Sequence, residues 1–231
     1  MTPRQLFDAE TWTYTYLLID DESREAIIID PVREHIERDL TLINELGVKL
    51  KHILETHVHA DHVTSAGQLS ERTGAVTAAS AQGAACVQRP LDHGQEITVG
   101  SIRVKALKTP GHTQDSLSYV VPGHVFTGDA LLIRGTGRTD FQNGDSNQLY
   151  DSITKVLFAL PDDTHVWPGH DYRGFTVSTI GEEKKFNPRV AGKTKEEFVK
   201  IMAELKLAAP KHIQEAVPAN LACGREPMHA G

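Results

Sequence analysis

The sequence is poor in cysteine: Cys86 and Cys223 are the two in a chain of 231 residues, and they lie far apart. Two are too few for a disulfide framework or a cysteine-rich zinc site. The expectation is a pair of reduced thiols in a reducing compartment. No apolar run approaches the roughly 20 residues needed to cross a bilayer, which argues against a membrane span. The opening "MTPRQLFDAETWTY" has neither an apolar h-region nor the Arg/Ser-rich amphipathic pattern of a transit peptide. The chain therefore reads as cytoplasmic, with no membrane partner. An excess of positive charge is missing too: Lys and Arg total 24 against 31 Asp and Glu, a formal charge of −7. Nucleic acid is disfavoured as a partner, because phosphate binding wants a basic face. A small anionic substrate needs only a local cluster of Arg or Lys and stays open.

Hydrophobic content of 39% and charged content of 24% are ordinary for a globular protein that buries a core without disulfide staples. At about 100–200 residues per domain, the length suits a single domain over 1–231, with a Pro-punctuated extension from about residue 175 packing on it. "WTYTYLLID" (12–20) and "EAIIID" (25–30) are rich in β-branched and aromatic residues and read as strands joined by the turn "DESR". Residues 31–47 read as a helix, with Ile36, Leu40, Ile43 and Leu46 on one face and Gly47 as its stop. "KHILET" (51–56) is a strand running into "HVHADH", and 61–74 reads as the next helix. Strands follow near "AVTAA", "EITVG" and "IRVKALKT", and "SLSYVV" and "HVFTGD" form a hairpin around Pro122-Gly123. Residues 147–160 read as helical, "THVWPGH" (164–170) as a short strand, and 194–208 as an amphipathic helix capped by Thr194 with Glu197 three residues on. Strands and helices mix throughout, with no repeat and no low-complexity linker, which points to a layered α/β fold.

"THVHADH" (56–62) places three histidines and an aspartate in seven positions. Nothing in packing favours so many imidazoles and a carboxylate side by side, whereas a metal does. His57 and His59 follow a strand end, and residues two apart in extended chain point to one side. His112 sits in "TPGHT", Asp129 in "FTGDA" and His170 in "WPGHD", each after a strand and beside a glycine. Ligand sites of layered α/β proteins favour such strand-end loops. Of the 12 histidines, His35, His52, His93, His124, His165, His212 and His229 have no such setting and read as ordinary core or surface residues.

"THVHADH", "PGHT", "TGD" and "GHDY" together resemble the metallo-β-lactamase superfamily over nearly the whole chain. The resemblance implies an α/β fold, an αββα sandwich with the metal at one edge. "GTGRTDFQNGD" (135–145), "HDYRGFTVSTIGEEKKFNPR" (170–189) and "VPANLACG" (217–224) narrow it to the persulfide dioxygenase (sulfur dioxygenase) branch. What that branch implies is oxidation of glutathione persulfide with O2 to sulfite and glutathione, as part of sulfide catabolism. It implies one Fe(II) per chain on His57, His112 and Asp129, with His59, Asp61, His62 and His170 orienting these ligands. Two imidazoles and one carboxylate on one face of iron leave three positions open, an arrangement suited to O2 activation, and holding both reactants at one metal makes their encounter local.

Alternatives remain open on the residues alone. His59, Asp61, His62 and His170 are of the right type for a second metal site with Asp129 as bridge. The competing reading is a glyoxalase II-type thioesterase, a two-metal hydrolase of acylglutathione in which metal makes a hydroxide nucleophile. That family shares the metal motifs but has "GxGRFFEG" where this chain has "GTGRTDFQNG". Substrate contacts are expected from Arg138, Asp140, Tyr172 and Arg173: Arg138 suits placing the active-site loop or a glutathione carboxylate, with a plain ion pair to Asp140 as the other reading. Cys223 resembles the cysteine of the branch's "NLxCG" and is expected to be a plain buried thiol. Homodimers are frequent in the branch, and a homodimer and a separate sulfurtransferase are its expected partners.

Overall fold

A computed structural model describes residues 2–208 and 212–225. The chain divides into two compact units: the first takes residues up to 91, 98–102 and the C-terminal segment from 209, the second residues 92–97 and 103–208. Among the described residues there are two six-stranded sheets.

The first sheet runs in sequence order: β1 (Arg4–Phe7), β2 (Tyr14–Ile19), β3 (Glu25–Ile29), β4 (Lys49–Leu54), β5 (Val76–Ser80) and β6 (Arg89–Leu91). β1, β2 and β3 pair antiparallel, and β3 to β6 pair parallel. β2 and β3 are buried at nearly every position, which is why they read as unbroken apolar runs rather than alternating ones. α1 (Ile36–Glu45), entered through a 3₁₀ turn at Arg33–His35, and α2 (Ala66–Thr73) cover this sheet. Leu40 and Ile43 of α1 and Leu69 of α2 pack with Ile28, Leu50 and Ile53. Parallel pairing brings the exits of β3, β4 and β5 to one edge, so the segments carrying Asp30 and residues 55–65 emerge as neighbours. α2 starts at Ala66, not at Asp61 as the sequence suggests: backbone groups of 55–65 go instead to partners outside the segment, where Glu55 N–H donates to Ala78 O, Val63 O accepts from Arg33 N–H and Ser65 N–H donates to Pro31 O.

The second sheet has β7 (Glu96–Val99), β8 (Ile102–Lys108), β9 (Leu117–Val121), β10 (His124–Gly128), β11 (His165–Pro168) and β12 (Ser178–Thr179), again in sequence order. β9 and β10 form the expected hairpin, turning at Gly123 with φ 79°. β10 and β11 are parallel, so their ends point the same way. α3 (Ser146–Asp151) is capped by Asp145, which accepts from the N–H groups of Asn147 and Gln148. It passes into a wider π turn at Ser152–Val156 and a 3₁₀ turn at Leu157–Ala159. α4 (Ile180–Phe186) and α5 (Lys195–Ala203) follow; α5 carries the expected capping box of Thr194 and Glu197. Leu149, Ile153 and Leu157 pack with Val125, Val166, Ile180 and Phe198. α6 (Ile213–Leu221), with Pro218 inside it, belongs to the first unit. Among the described residues no helix is long and apolar enough to cross a membrane.

The expectation of two reduced thiols is overturned. Cys86 and Cys223 are disulfide-bonded, with Cα atoms 6.0 Å apart. Their separation of 137 residues hid this: α6 folds back on the first unit and brings Cys223 to the β5–β6 connection.

Candidate metal centre

In the first unit the site is built from the end of β4 outward. Asp30, just past β3, adopts φ 50°, and its N–H donates to Leu54 O at 2.9 Å. Its carboxylate then accepts from Thr56 N–H at 2.7 Å and from Thr56 Oγ1 at 2.8 Å. Thr56 Oγ1 lies 3.0 Å from His57 Nδ1. A hydrogen bond at one imidazole nitrogen fixes the ring and directs the other nitrogen to a metal, so His57 Nε2 is the donor this arrangement presents. His59 is fully enclosed, its Nε2 between Asp30 at 3.2 Å and Glu55 at 3.3 Å. Burial works against a charged His59, but the two carboxylates outweigh it and hold its pKa well above the ordinary value. Burial raises the Glu55 carboxyl, while His59 pulls it the other way.

His59, Asp61 and His62 each offer a donor atom within 4.8 Å of the others, and so do Asp30, Glu55 and His59. The rings of His57 and His59 have centroids 4.1 Å apart, and those of His59 and His62 4.3 Å. Asp61 Oδ2 lies 2.9 Å from His62 Nδ1 and accepts from Thr13 Oγ1 at 3.1 Å. His62 Nε2 is buried with no hydrogen-bond partner among the described residues.

In the second unit the parallel ends of β10 and β11 place Asp129 beside His170. Gly169 N–H donates to Gly128 O at 2.8 Å, and His170 Nδ1 meets Asp129 Oδ1 at 2.6 Å. His112 lies on the loop after β8. Its Nδ1 donates to Arg138 O at 2.7 Å, which again leaves Nε2 as the metal-directed nitrogen. His112 Nε2 stands 3.6 Å from Asp129 Oδ2, beyond hydrogen-bond reach and close enough for one ion to join them. Gly137 makes this possible. A Cβ there would come 2.3 Å from Asp129 O and 2.8 Å from His112 Nδ1, closer than real contacts allow.

The expected substrate residues fall as follows. The Arg138 guanidinium is committed within the protein: Nε and Nη2 donate to Asp140 at 2.6 and 2.8 Å, and Nη1 donates to Ala208 O at 2.6 Å. These bonds hold the Asp140 carboxyl below its ordinary range. The Arg138 side chain thus makes the ion pair with Asp140, and its carbonyl reaches His112. Tyr172 is 60% exposed and stacks on His170, ring planes 5° apart. Arg173 donates to Ile133 O and lies 5.4 Å from the Phe175 ring. Asp171 shapes this loop by accepting from the N–H groups of Arg173 and Phe175, both at 2.8 Å.

Of the histidines set aside, His35 pairs with Asp8 at 3.0 Å, and His124 accepts from Trp167 Nε1 at 3.1 Å with its ring 5.3 Å from that of His165. His52, His93 and His212 join no metal-type group among the described residues. His229 lies outside the described residues. Sequence reasoning missed Asp30, Thr56 and Glu55, which hold the histidine loop. Asp30 carries the strand-end signal that found the ligands, being the acid right after "EAIII".

Residues 12–85 and 87–170 match the Metallo-beta-lactamase superfamily. The chain is 47% identical over 224 residues to the human protein described as "Persulfide dioxygenase ETHE1, mitochondrial", covering 96% of this chain and 88% of that one. Among solved structures, ETHE1 from Myxococcus xanthus superposes with a TM-score of 0.96 at 57% identity, covering 97% of this chain and all of that one. TTHA1623, solved in a di-iron-bound form, gives a TM-score of 0.68 at 27% identity over 81% of this chain and 99% of that one.

Proposed function

The chain belongs to the metallo-β-lactamase superfamily and is a persulfide dioxygenase, and from that premise we propose that it depends on iron, a single ferrous ion held by His57, His112 and Asp129. The observation that carries the ligand assignment is the His112–Asp129 pair, 3.6 Å apart with the far nitrogen of His112 tied to Arg138 O. The donor set fits iron: two imidazoles, each fixed through Nδ1, and one carboxylate. When bound, iron supplies the redox step that lets O2 oxidise the outer sulfur of a persulfide. The balance is one glutathione persulfide, one O2 and one water giving glutathione and sulfite with its protons.

The protein's own groups do the rest. His170 bonds Asp129 Oδ1 and sets the tilt of the carboxylate. His59, Asp61 and His62 act by shaping the loop that carries His57. Tyr172, exposed and stacked on His170, offers a hydroxyl and a ring face to the glutathione moiety. Arg173 sits in the same loop; Arg138 and Asp140 act on it by fixing His112.

The test is an oxygen-electrode trace with glutathione persulfide, run beside elemental analysis. The expected result is about one iron per chain, O2 uptake matched to sulfite, and loss of both on treatment with a ferrous chelator. A specific observation favours one rival: the donor atoms of His59, Asp61 and His62 are close enough to share an ion. Two metals per active chain, with lactoylglutathione cleaved in the absence of air, would replace the dioxygenase by the thioesterase.

A further inference from the structure

No residue of "VPANLACG" has a role in the proposed centre, yet the stretch is built against the histidine loop. Asn220, near the end of α6, is 4% exposed. Its Nδ2 donates to His59 O at 2.9 Å and to His62 O at 2.8 Å, and its Oδ1 accepts from Thr64 N–H at 2.9 Å. One side chain thereby satisfies three backbone groups of residues 59–64. An amide of this length offers two donors and an acceptor; an aspartate of the same shape offers no donor when ionised. The backbone after Asn220 closes on the same segment. Gly67 N–H donates to Cys223 O at 2.8 Å. A Cβ on Gly224 would meet Thr64 O at 1.9 Å, and one on Gly67 would meet Cys223 O at 2.6 Å. Cys223 takes a left-handed φ of 59°, and its sulfur is bonded to Cys86.

The loop is thus pinned twice. Asp30 and Thr56 hold it where it leaves β4 and fix the His57 ring. Asn220 holds it two to seven positions beyond His57, through the carbonyls of His59 and His62 and the N–H of Thr64; truncating Asn220 removes these bonds from a buried segment. Such a loss is relieved by local rearrangement, because an unpaired buried carbonyl is costly.

We propose that Asn220 is a positioning residue for the metal-ligand loop, and that the Cys86–Cys223 bond is the tie that keeps it seated. It acts through the backbone of His59 and His62 and touches neither substrate nor metal. The inference rests on the iron reading above.

The ferrous holoprotein is compared with its Asn220→Ala, Asn220→Asp and Cys86→Ser variants, all matched for folded fraction by circular dichroism. Two readouts are taken with the metal alone: the rate of iron loss to a ferrous chelator, and the electron paramagnetic resonance signal of the nitric oxide adduct. Asn220→Ala is expected to release iron roughly tenfold faster, the scale on which groups orienting metal ligands act, and to change the symmetry of the signal. Asn220→Asp is expected to follow the alanine variant, since it keeps the acceptor and loses both donors. Cys86→Ser is expected to accelerate release less, in the same direction. Unchanged release and an unchanged signal in folded Asn220→Ala would overturn the proposal, since a residue serving only stability moves the melting point and not the signal. Should Asn220→Ala fail to fold, Cys86→Ser decides: values equal to the parent's overturn it and faster release supports it. A parent protein that holds iron but consumes no O2 with glutathione persulfide would sink the dioxygenase reading and leave this test intact.

Discussion

Single atoms decide the shape of the centre. Gly137 has no Cβ, and Asp129 O and His112 Nδ1 occupy the space one would need. Gly137→Ala must therefore move the loop that presents Arg138 O to His112, or move His112 itself. The expected outcome is a folded protein whose iron affinity falls by about 10- to 100-fold, as for other losses of support behind a ligand; chelator competition measures it, and parental affinity would show that the loop yields without disturbing the ring. Asp8 makes a prediction about acid stability. Burial alone would raise its pKa, but hydrogen bonds from Thr11, His35 and the N–H of Glu10 outweigh burial and hold it at about 2. A carboxyl depressed in the folded state contributes stability that is complete above its unfolded value and is lost as pH falls through the folded one. Between the ordinary carboxylate range and about 2, the parent's stability should therefore drop more steeply than that of Asp8→Asn. Denaturant melts across that window check the sign; parallel curves would refute it.

Elements show how far a sequence exposes its own folding. Strands β2 to β5 and β7 to β11 were legible as short apolar or β-branched runs set off by turn residues, and α5 because Thr194 and Glu197 form a box around its first turn. β1, β6 and β12 were not, being short runs such as Arg89–Leu91 whose pairing depends on a neighbour already in place. α4 was hidden by Gly181 in its first turn, and α6 by Pro218. The ligand types of the centre were visible as histidines and an aspartate beside glycines. Their support was not, because Asp30, Thr56 and Asn220 acquire meaning through partners distant in the chain. So does Glu183, buried in α4, which accepts from Arg134 N–H at 2.9 Å, Ser178 Oγ at 2.6 Å and Asn187 Nδ2 at 2.9 Å, and pairs with the Arg134 guanidinium. These bonds anchor the segment leading to Gly137 and Arg138. Arg134 is a quarter exposed and keeps Glu182 at 2.7 Å, so removing Glu183 strands no bare charge; it leaves the Arg134 N–H and its other donors without their buried acceptor, at about 1–3 kcal/mol. Glu183→Ala is expected to lose that much in urea unfolding and to weaken iron binding with it; a loss below about 1 kcal/mol would place the pair among exposed bridges.

At the scale of the molecule, metal and fold stabilise each other. His57, His112 and Asp129 stand far apart in sequence, so in the proposed centre only the native chain presents all three to one ion. A ligand that binds the folded state alone raises stability by an amount set by its concentration over its dissociation constant, about 2.7 kcal/mol at 100-fold excess. A chain of this length moves its melting point by roughly 2–4 °C per kcal/mol. Iron loading at that excess should thus raise the midpoint by about 5–10 °C, and chelation should reverse it. Asp129→Asn keeps the shape of the side chain and removes its charge, so it should melt near the apo parent and respond little to iron. Zinc separates binding from chemistry. It accepts the same donors without a redox step, so a zinc-loaded protein should melt high and consume no O2 with glutathione persulfide. Scanning calorimetry of the apo, iron and zinc forms, with O2 uptake on the same samples, checks both expectations. Equal midpoints for apo and iron forms would mean that these three residues do not hold the ion, and O2 uptake by the zinc form would mean that iron is not what the reaction needs.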